Sequence, residues 1–358
     1  MIGYLTFIKN ESHFDRIKLV NAKASTRFNS NPGAVFLVSA LLFVSCQSLT
    51  YYLFGMPLFM NNRLLVYQSG GFGILGRVLD VTLVVSFYSY LYYTSQGKMT
   101  FFYKMLIFLY LIFLLLSLFL NGSKMGVLSL IFILVIFSNI ESRKRNVDLL
   151  KGYMVRVWTI FIIAVCSAIV ILMFNYNIFS RLNDFLDVFL VLFLRIINSA
   201  EIYVMAYPND ALFIHQPEHN GFVALFKDLL ATFRFISGSD VPNSLGNVAA
   251  NLHVSTDIGG PNTRLSVFGY YYFGFLGSLL FAFILGTILS FFRHKLTRVL
   301  PSHPLLGGAL AYFILHFSSL EIDPVYQFSK LTNFLIVFPL LIFLLIIIPT
   351  KGNVKCQS

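Results

Sequence analysis

The sequence predicts an all-α polytopic integral membrane protein of eight transmembrane helices, with one large external loop holding interfacial or re-entrant helices. Three observations predict it. Of 358 residues, 57% are hydrophobic and only 11% are charged, whereas ordinary soluble domains carry roughly 25% charged residues. The apolar residues arrive in blocks of about 17 to 25, long enough to span the roughly 30 Å hydrocarbon layer as a helix. Inside lipid a helix satisfies its own backbone polar groups. The net charge of +11 is unevenly spread along the chain, and that asymmetry orients the helices.

Residues 1–32 are polar and basic, without a compact apolar core ahead of a small-residue cleavage site, so they do not read as a signal peptide. Spans are expected at 33–54, 72–94, 101–120, 125–140 and 157–178, then at 267–291, 305–320 and 331–349. The chain therefore divides into an N-terminal tail (1–32), five helices (33–178), a long loop (179–266), three helices (267–349) and a short tail (350–358). Cys46 and Cys166 lie in apolar runs and Cys356 in the tail, so no disulfide framework is implied.

Orientation follows the distribution of Lys and Arg. With the N-terminus in the cytoplasm, the inside collects the basic tail, the "ESRKRNVDLLKGYMVR" loop, the "FRHKLTR" loop and the C-terminal lysines. Only Arg63, Lys124, Arg181, Arg195, Lys227, Arg234, Arg264 and Lys330 fall outside. Both termini are thus cytoplasmic, and the basic balance is an orientation signal rather than a nucleic-acid footprint. One stretch tests this topology. "FLDVFLVLFLRIINSAEIYVMAY", residues 185–207, is long enough to cross but carries Asp187, Arg195 and Glu201. Each charge near a bilayer centre costs about 2.5–3.5 kcal/mol, which favours a re-entrant or surface-lying segment.

The loop 179–266 is by far the largest polar region, and functional residues gather on such loops. Its "FVALFKDLLATFRFI" segment puts Phe222, Phe226, Leu229, Phe233 and Ile236 on one helical face, with Lys227 and Arg234 on a flank. That pattern suits either a helix in the membrane interface, basic groups toward headgroups, or a helix packed on the bundle.

The loop leads into "GPNTRLSVFGYYYFGFLGSLLFAFILG", 260–286. Gly274, Ser278, Ala282 and Gly286 recur at every fourth position, a smooth stripe for close helix packing. Tyr270, Tyr271 and Tyr272 fall at headgroup depth, where tyrosine is ordinary. Arg264 beside Asn262 is either a snorkelling anchor or a bidentate phosphate ligand.

Earlier, "NRLLVYQSGGFGILGRVLD" places Arg77 three residues before Asp80, a spacing that allows the two to pair. "LNGSKMG" places Lys124 in a minimal external hairpin. Glu321 and Asp323 form an acidic pair before the last span, weak as a cation site. No GxxxxGK[ST] loop, HExxH or paired CxxC is present, so neither a nucleotide engine nor a zinc site is indicated.

Three regions carry a family resemblance: "NRLLVYQSGGFGILGRVLD", "LNGSKMGVLSLIFIL" and "GGPNTRLSVFGYYYFGFLGSLLFAFILG". With the long loop and its "RIINSAEIYVMAY" tract, the chain resembles the bacterial O-antigen and capsule repeat-unit polymerases, the Wzy group. The likeness runs loosely over residues 30 to 350. Many members of the group have ten or more spans, and no helix is expected here ahead of Ala34.

The resemblance implies a C-type glycosyltransferase in the bacterial inner membrane, inverting and metal-independent, with no cofactor. A polyprenyl-diphosphate-linked oligosaccharide is donor and another is acceptor; a chain-length regulator is an expected partner, and nucleic acid is not. Charge developing on the leaving diphosphate needs preorganised cations. Arg264 and Arg195 are the first candidates, with Arg77, Lys124 and Arg234 in reserve. A base must take the acceptor proton, and His253, Asp257, Glu201 and His219 stand unranked. Asn262, Tyr270 and Tyr271 are expected against acceptor or lipid.

Rival classes remain. A lipid-linked-oligosaccharide flippase binds near the midplane through intramembrane charges or broken helices, whereas the embedded charges expected here are only Arg77 and Asp80. An O-antigen ligase shares the same plan. A membrane acyltransferase would use His316, a helix-borne histidine of the packing kind.

Overall fold

The computed structural model describes residues 32–60, 72–97, 100–122, 124–145, 162, 201–237, 240–252, 261–298, 301 and 303–347. Among these the regular elements are helical, with no strand. In order they are α1 (Pro32–Phe54), α2 (Phe72–Ser95), α3 (Phe101–Leu120) and α4 (Lys124–Arg145). Four short helices follow: α5 (Glu201–Ala206), α6 (Gly221–Leu225), α7 (Lys227–Thr232) and α8 (Leu245–Asn251). Last come α9 (Leu265–Arg298), α10 (Pro304–Phe317) and α11 (Pro324–Ile347).

Five stretches are long and apolar enough to cross a membrane: Pro32–Phe59, Phe72–Ser95, Phe101–Leu120, Leu265–Phe291 and Pro324–Ile347. Two shorter apolar helices, Gly126–Ser142 and Pro304–Phe317, accompany them. This architecture fits a polytopic membrane protein. The span expected at 157–178 and most of the 185–207 stretch lie outside the described residues.

The bundle is organised around α2, against which α1, α4, α10 and α11 all pack. Its Val81, Val85 and Tyr88 are fully enclosed. In lipid, helices gain little from burying oil against oil, so small residues that permit close approach decide the contacts. Gly307 and Gly308 of α10 do this: a Cβ at Gly308 would lie 3.1 Å from Val85 Cα, and one at Gly307 would overlap the Tyr88 ring. Several buried hydroxyls are satisfied within the bundle. Thr82 donates to the Val78 carbonyl at 2.6 Å, while the Ser86 and Tyr110 hydroxyls bond each other at 2.6 Å across α2 and α3.

A second core forms where the 201–252 segment meets α9. Ile202 and Ala206 of α5, Leu225 of α6, Leu245 and Ala249 of α8, and Val267, Phe268, Phe281 and Leu285 of α9 pack together there.

Four sequence expectations need correction. The stripe starting at Gly274 is not a seam for a neighbour among the described residues, because Gly274 and Ala282 are exposed. Gly274 instead has φ 68 and ψ −175, outside the helical region, a conformation that glycine alone adopts readily. The helix bends back there: a Cβ on Gly269 would stand 3.1 Å from Ser278 Cβ, although nine residues of straight helix span about 13.5 Å. Ser278 does allow close approach, but to its own chain.

The 222–236 segment is not one amphipathic helix. Phe226 (φ −101, ψ 15) separates α6 from α7, leaving Phe222 and Phe233 exposed while Phe226 packs on Phe328 at 5.0 Å. The last span begins at Pro324 rather than 331, because Asp323 and Pro324 form a helix start with a carboxylate cap and proline in the first turn. Lastly, Asp80 is held by Lys330 at 2.7 Å, not by Arg77. The charge that marked Lys330 as a loop residue is neutralised inside the bundle.

Candidate functional site

A cavity of about 300 Å³ lies where α6, α7 and α8 meet the beginnings of α9 and α11. Its polar lining is Lys227, Asp228, Asn243, Ser244, Thr263, Asp323 and Ser329, with the phenols of Tyr272 and Tyr326. Ala224, Leu245, Phe268 and Val325 supply the apolar remainder.

Local chemistry places each wall. The Asn220 side chain caps α6 by accepting from Phe222 N at 3.0 Å, and Ser244 caps α8 by accepting from Asn247 N at 3.3 Å. The break at Phe226 turns Lys227 inward, where its ammonium donates to the Pro242 carbonyl at 3.0 Å. It does not point to headgroups as the amphipathic reading requires. Leu265 N donates to the Glu321 carbonyl at 3.1 Å, which ties the start of α9 to the α10–α11 turn and sets Thr263 beside Asp323. Tyr326 N donates to Asp323 Oδ1 at 3.0 Å.

Two ionisable groups are displaced from their ordinary range. Burial pushes the Lys227 ammonium down, and the neighbouring Asp228 and Asp323 carboxylates offset part of that. Burial pushes the Asp323 carboxyl up, against backbone N–H donors from Tyr326 and Thr263 and the charge of Lys227. Desolvation disfavours the charged form of both, so each is more ready to exchange a proton near neutrality than its free counterpart. A half-buried ammonium and a half-buried carboxylate lining one cavity can hold an anion and accept a proton beside it.

Asp323 also caps α11, and the two roles separate by substitution. Asn caps a helix about as well as Asp, while Ala costs roughly 1 kcal/mol. Asp323→Asn should therefore unfold at the wild-type temperature in detergent and Asp323→Ala measurably lower. Equal losses would mean that the carboxylate does not cap α11.

Directly beneath the cavity lies a buried polar network. Lys330 Nζ bonds Asp80 Oδ1 at 2.7 Å, and Asn333 Nδ2 donates to Asp80 Oδ2 at 3.2 Å. The Tyr312 hydroxyl stands 2.5 Å from Asp80 Oδ2 and 2.9 Å from the Lys330 carbonyl, donating its proton to one at a time. His316 packs against Tyr312 with ring centroids 4.3 Å apart and the planes tilted by 55°. That contact agrees with a packing role for the histidine. The Lys330 ammonium also lies 4.8 Å from the centroid of Tyr326, a residue of the cavity wall.

None of the described site candidates named from the sequence is in the lining of this cavity. Arg264 follows the lining residue Thr263 and is half-buried, with its Nε enclosed. Asn262 is exposed, and Tyr270 and Tyr271 are half-buried on the short first segment of α9. Tyr270 packs edge-on against Phe213 at 4.6 Å. Tyr271 meets the lining residue Tyr272 at 4.9 Å. Glu201 opens α5 and His219 precedes α6, both half-buried. Arg77 is half-buried one turn before Asp80. Arg234 is exposed, in the left-handed region at φ 58, which removes it from a shared flank with Lys227. Lys124 begins α4, and its side chain is outside the described set. So are Arg195, His253 and Asp257.

Sequence reasoning missed Lys227, Asp228 and Asp323 as a group. The Asp323–Pro324 helix start was the available signal, since it brings the α11 terminus to the loop. Among the described residues no group of three or more His, Cys, Asp or Glu side chains is placed to hold a metal ion. Glu321 is exposed while Asp323 caps α11, so the acidic pair does not converge. No protein-family model, curated protein or solved structure matches the chain.

Proposed function

We propose that the protein joins polyprenyl-diphosphate-linked oligosaccharide repeats into O-antigen or capsular polysaccharide at the outer face of the bacterial cytoplasmic membrane. In this reading the chain has eight spans with both termini in the cytoplasm, so the 201–252 segment faces outward. The observation that carries it is the cavity at that end, lined by a half-buried ammonium and a half-buried carboxylate whose proton affinities burial shifts toward each other. The resemblance noted in the sequence supplies the substrate class.

The step is an inverting glycosyl transfer. The acceptor hydroxyl oxygen forms a bond to the donor's anomeric carbon as the bond from that carbon to the diphosphate oxygen breaks. The electron pair leaves with polyprenyl diphosphate, whose developing charge Lys227 stabilises. The acceptor proton passes to the Asp323 carboxylate. Arg264, beside Thr263, adds a guanidinium as the second cationic anchor at the rim.

A flippase is the alternative of a different class. Its best support is the buried Asp80–Lys330 pair. The lysine of that pair lies less than two helical turns from the start of α11, on the loop side of that helix's middle. A glycan gel of a strain lacking the protein distinguishes the two. Polymerisation predicts single repeats delivered to the surface and capped there. Single repeats trapped on the inner leaflet would overturn it in favour of transport.

A further inference from the structure

The Asp80–Lys330 pair is ordered relative to the cavity. Asp80 is held from the bundle side by Tyr312 of α10 and Asn333 of α11, neither of which lines the cavity. Lys330 lies on the other side, its ammonium over the ring of Tyr326. Tyr326 and Ser329, one turn and one residue before Lys330, both line the cavity. The order from bundle to cavity is carboxylate, ammonium, tyrosine, cavity. Both charged side chains are enclosed, with 14% and 15% of Lys330 and Asp80 exposed, where charges are poorly screened.

A buried ion pair seldom adds stability over an apolar replacement of similar volume, and charged residues inside spans mark functional sites by default. We propose that Asp80 and Lys330 form an oriented dipole whose positive end faces the cavity and favours a diphosphate anion there. Asp80 holds Lys330 in that orientation, and Lys330 acts through space, past Tyr326, in addition to Lys227. The inference deepens the proposed function and rests on its assignment of the cavity as the diphosphate site.

The test is titration of the purified full chain in detergent with inorganic pyrophosphate, at low salt, by calorimetry. Three variants share one thermal-unfolding control. The neutral pair Asp80→Asn/Lys330→Met should stay folded and bind pyrophosphate roughly five- to tenfold more weakly, the loss fading as salt rises. Lys330→Arg keeps the charge and should bind within about twofold of wild type. The reversed pair Asp80→Lys/Lys330→Asp keeps an ion pair but turns the dipole round, so it should bind at least as weakly as the neutral pair. A folded reversed pair that binds like wild type would make the pair a structural tie and overturn the proposal. So would unchanged binding by the neutral pair, or no pyrophosphate binding by wild type. None of these outcomes decides the polymerase reading, which the glycan gel judges separately.

Discussion

Lys227→Met should remove long glycan ladders while leaving the protein folded and inserted. Among the described residues Lys227 is the only cation in the cavity lining, and deleting one preorganised donor of this kind slows a reaction about a hundred- to a thousandfold. Methionine keeps most of the half-buried stem and gives up only the ammonium's hydrogen bond to the Pro242 carbonyl. Wild-type ladders from Lys227→Met would end the assignment of this cavity as the reaction site.

The same residues set the pH dependence. The reaction needs Lys227 protonated and Asp323 ionised. Burial lowers the lysine and raises the carboxyl, so both limbs of the rate profile move toward neutrality. Activity should rise with pH through a value above the ordinary carboxylate range of about 4 and fall below the ordinary lysine range of about 10.4. Lys227→Arg retains charge at any accessible pH. It should therefore abolish the alkaline fall and leave the acidic limb in place. An alkaline limb that persists in Lys227→Arg membranes, assayed with lipid-linked repeats, would assign it to another group.

Gly307→Ala should be the most damaging small substitution in the bundle. The added Cβ would overlap the ring of Tyr88, which is fully buried and packs edge-on against Phe137 at 5.4 Å. The ring must therefore displace neighbours to make room. Overpacking of this kind costs about 1–3 kcal/mol, occasionally more, and α2 is the helix on which the bundle is built. Melting in detergent, followed by size exclusion of heated samples, should show a lower midpoint. Gly307→Ala/Tyr88→Leu should recover part of the loss, and a midpoint equal to wild type for Gly307→Ala would refute the contact.

Helix positions were legible where apolar runs were long and uninterrupted. α1, α2 and α3 lie within a residue or two of expectation, because a lipid-spanning run has no other way to satisfy its backbone. Legibility failed where one residue's conformation or a distant partner decided the outcome. Gly274 reads in sequence as one of four evenly spaced small residues, yet it bends α9. Lys330 reads as a loop charge, since its compensating carboxylate is 250 positions away on α2.

Composition and hydropathy alone determined that this is a helical membrane protein with a polar segment between two groups of apolar helices, because transfer energies of whole segments outweigh local detail. Tertiary structure alone decided which polar residues share a cavity. Lys227 and Asp323 lie far apart in the chain and meet only because the Phe226 break, the Leu265–Glu321 hydrogen bond and the early start of α11 converge. Such convergence depends on directional bonds and side-chain volumes, which no count of apolar residues encodes.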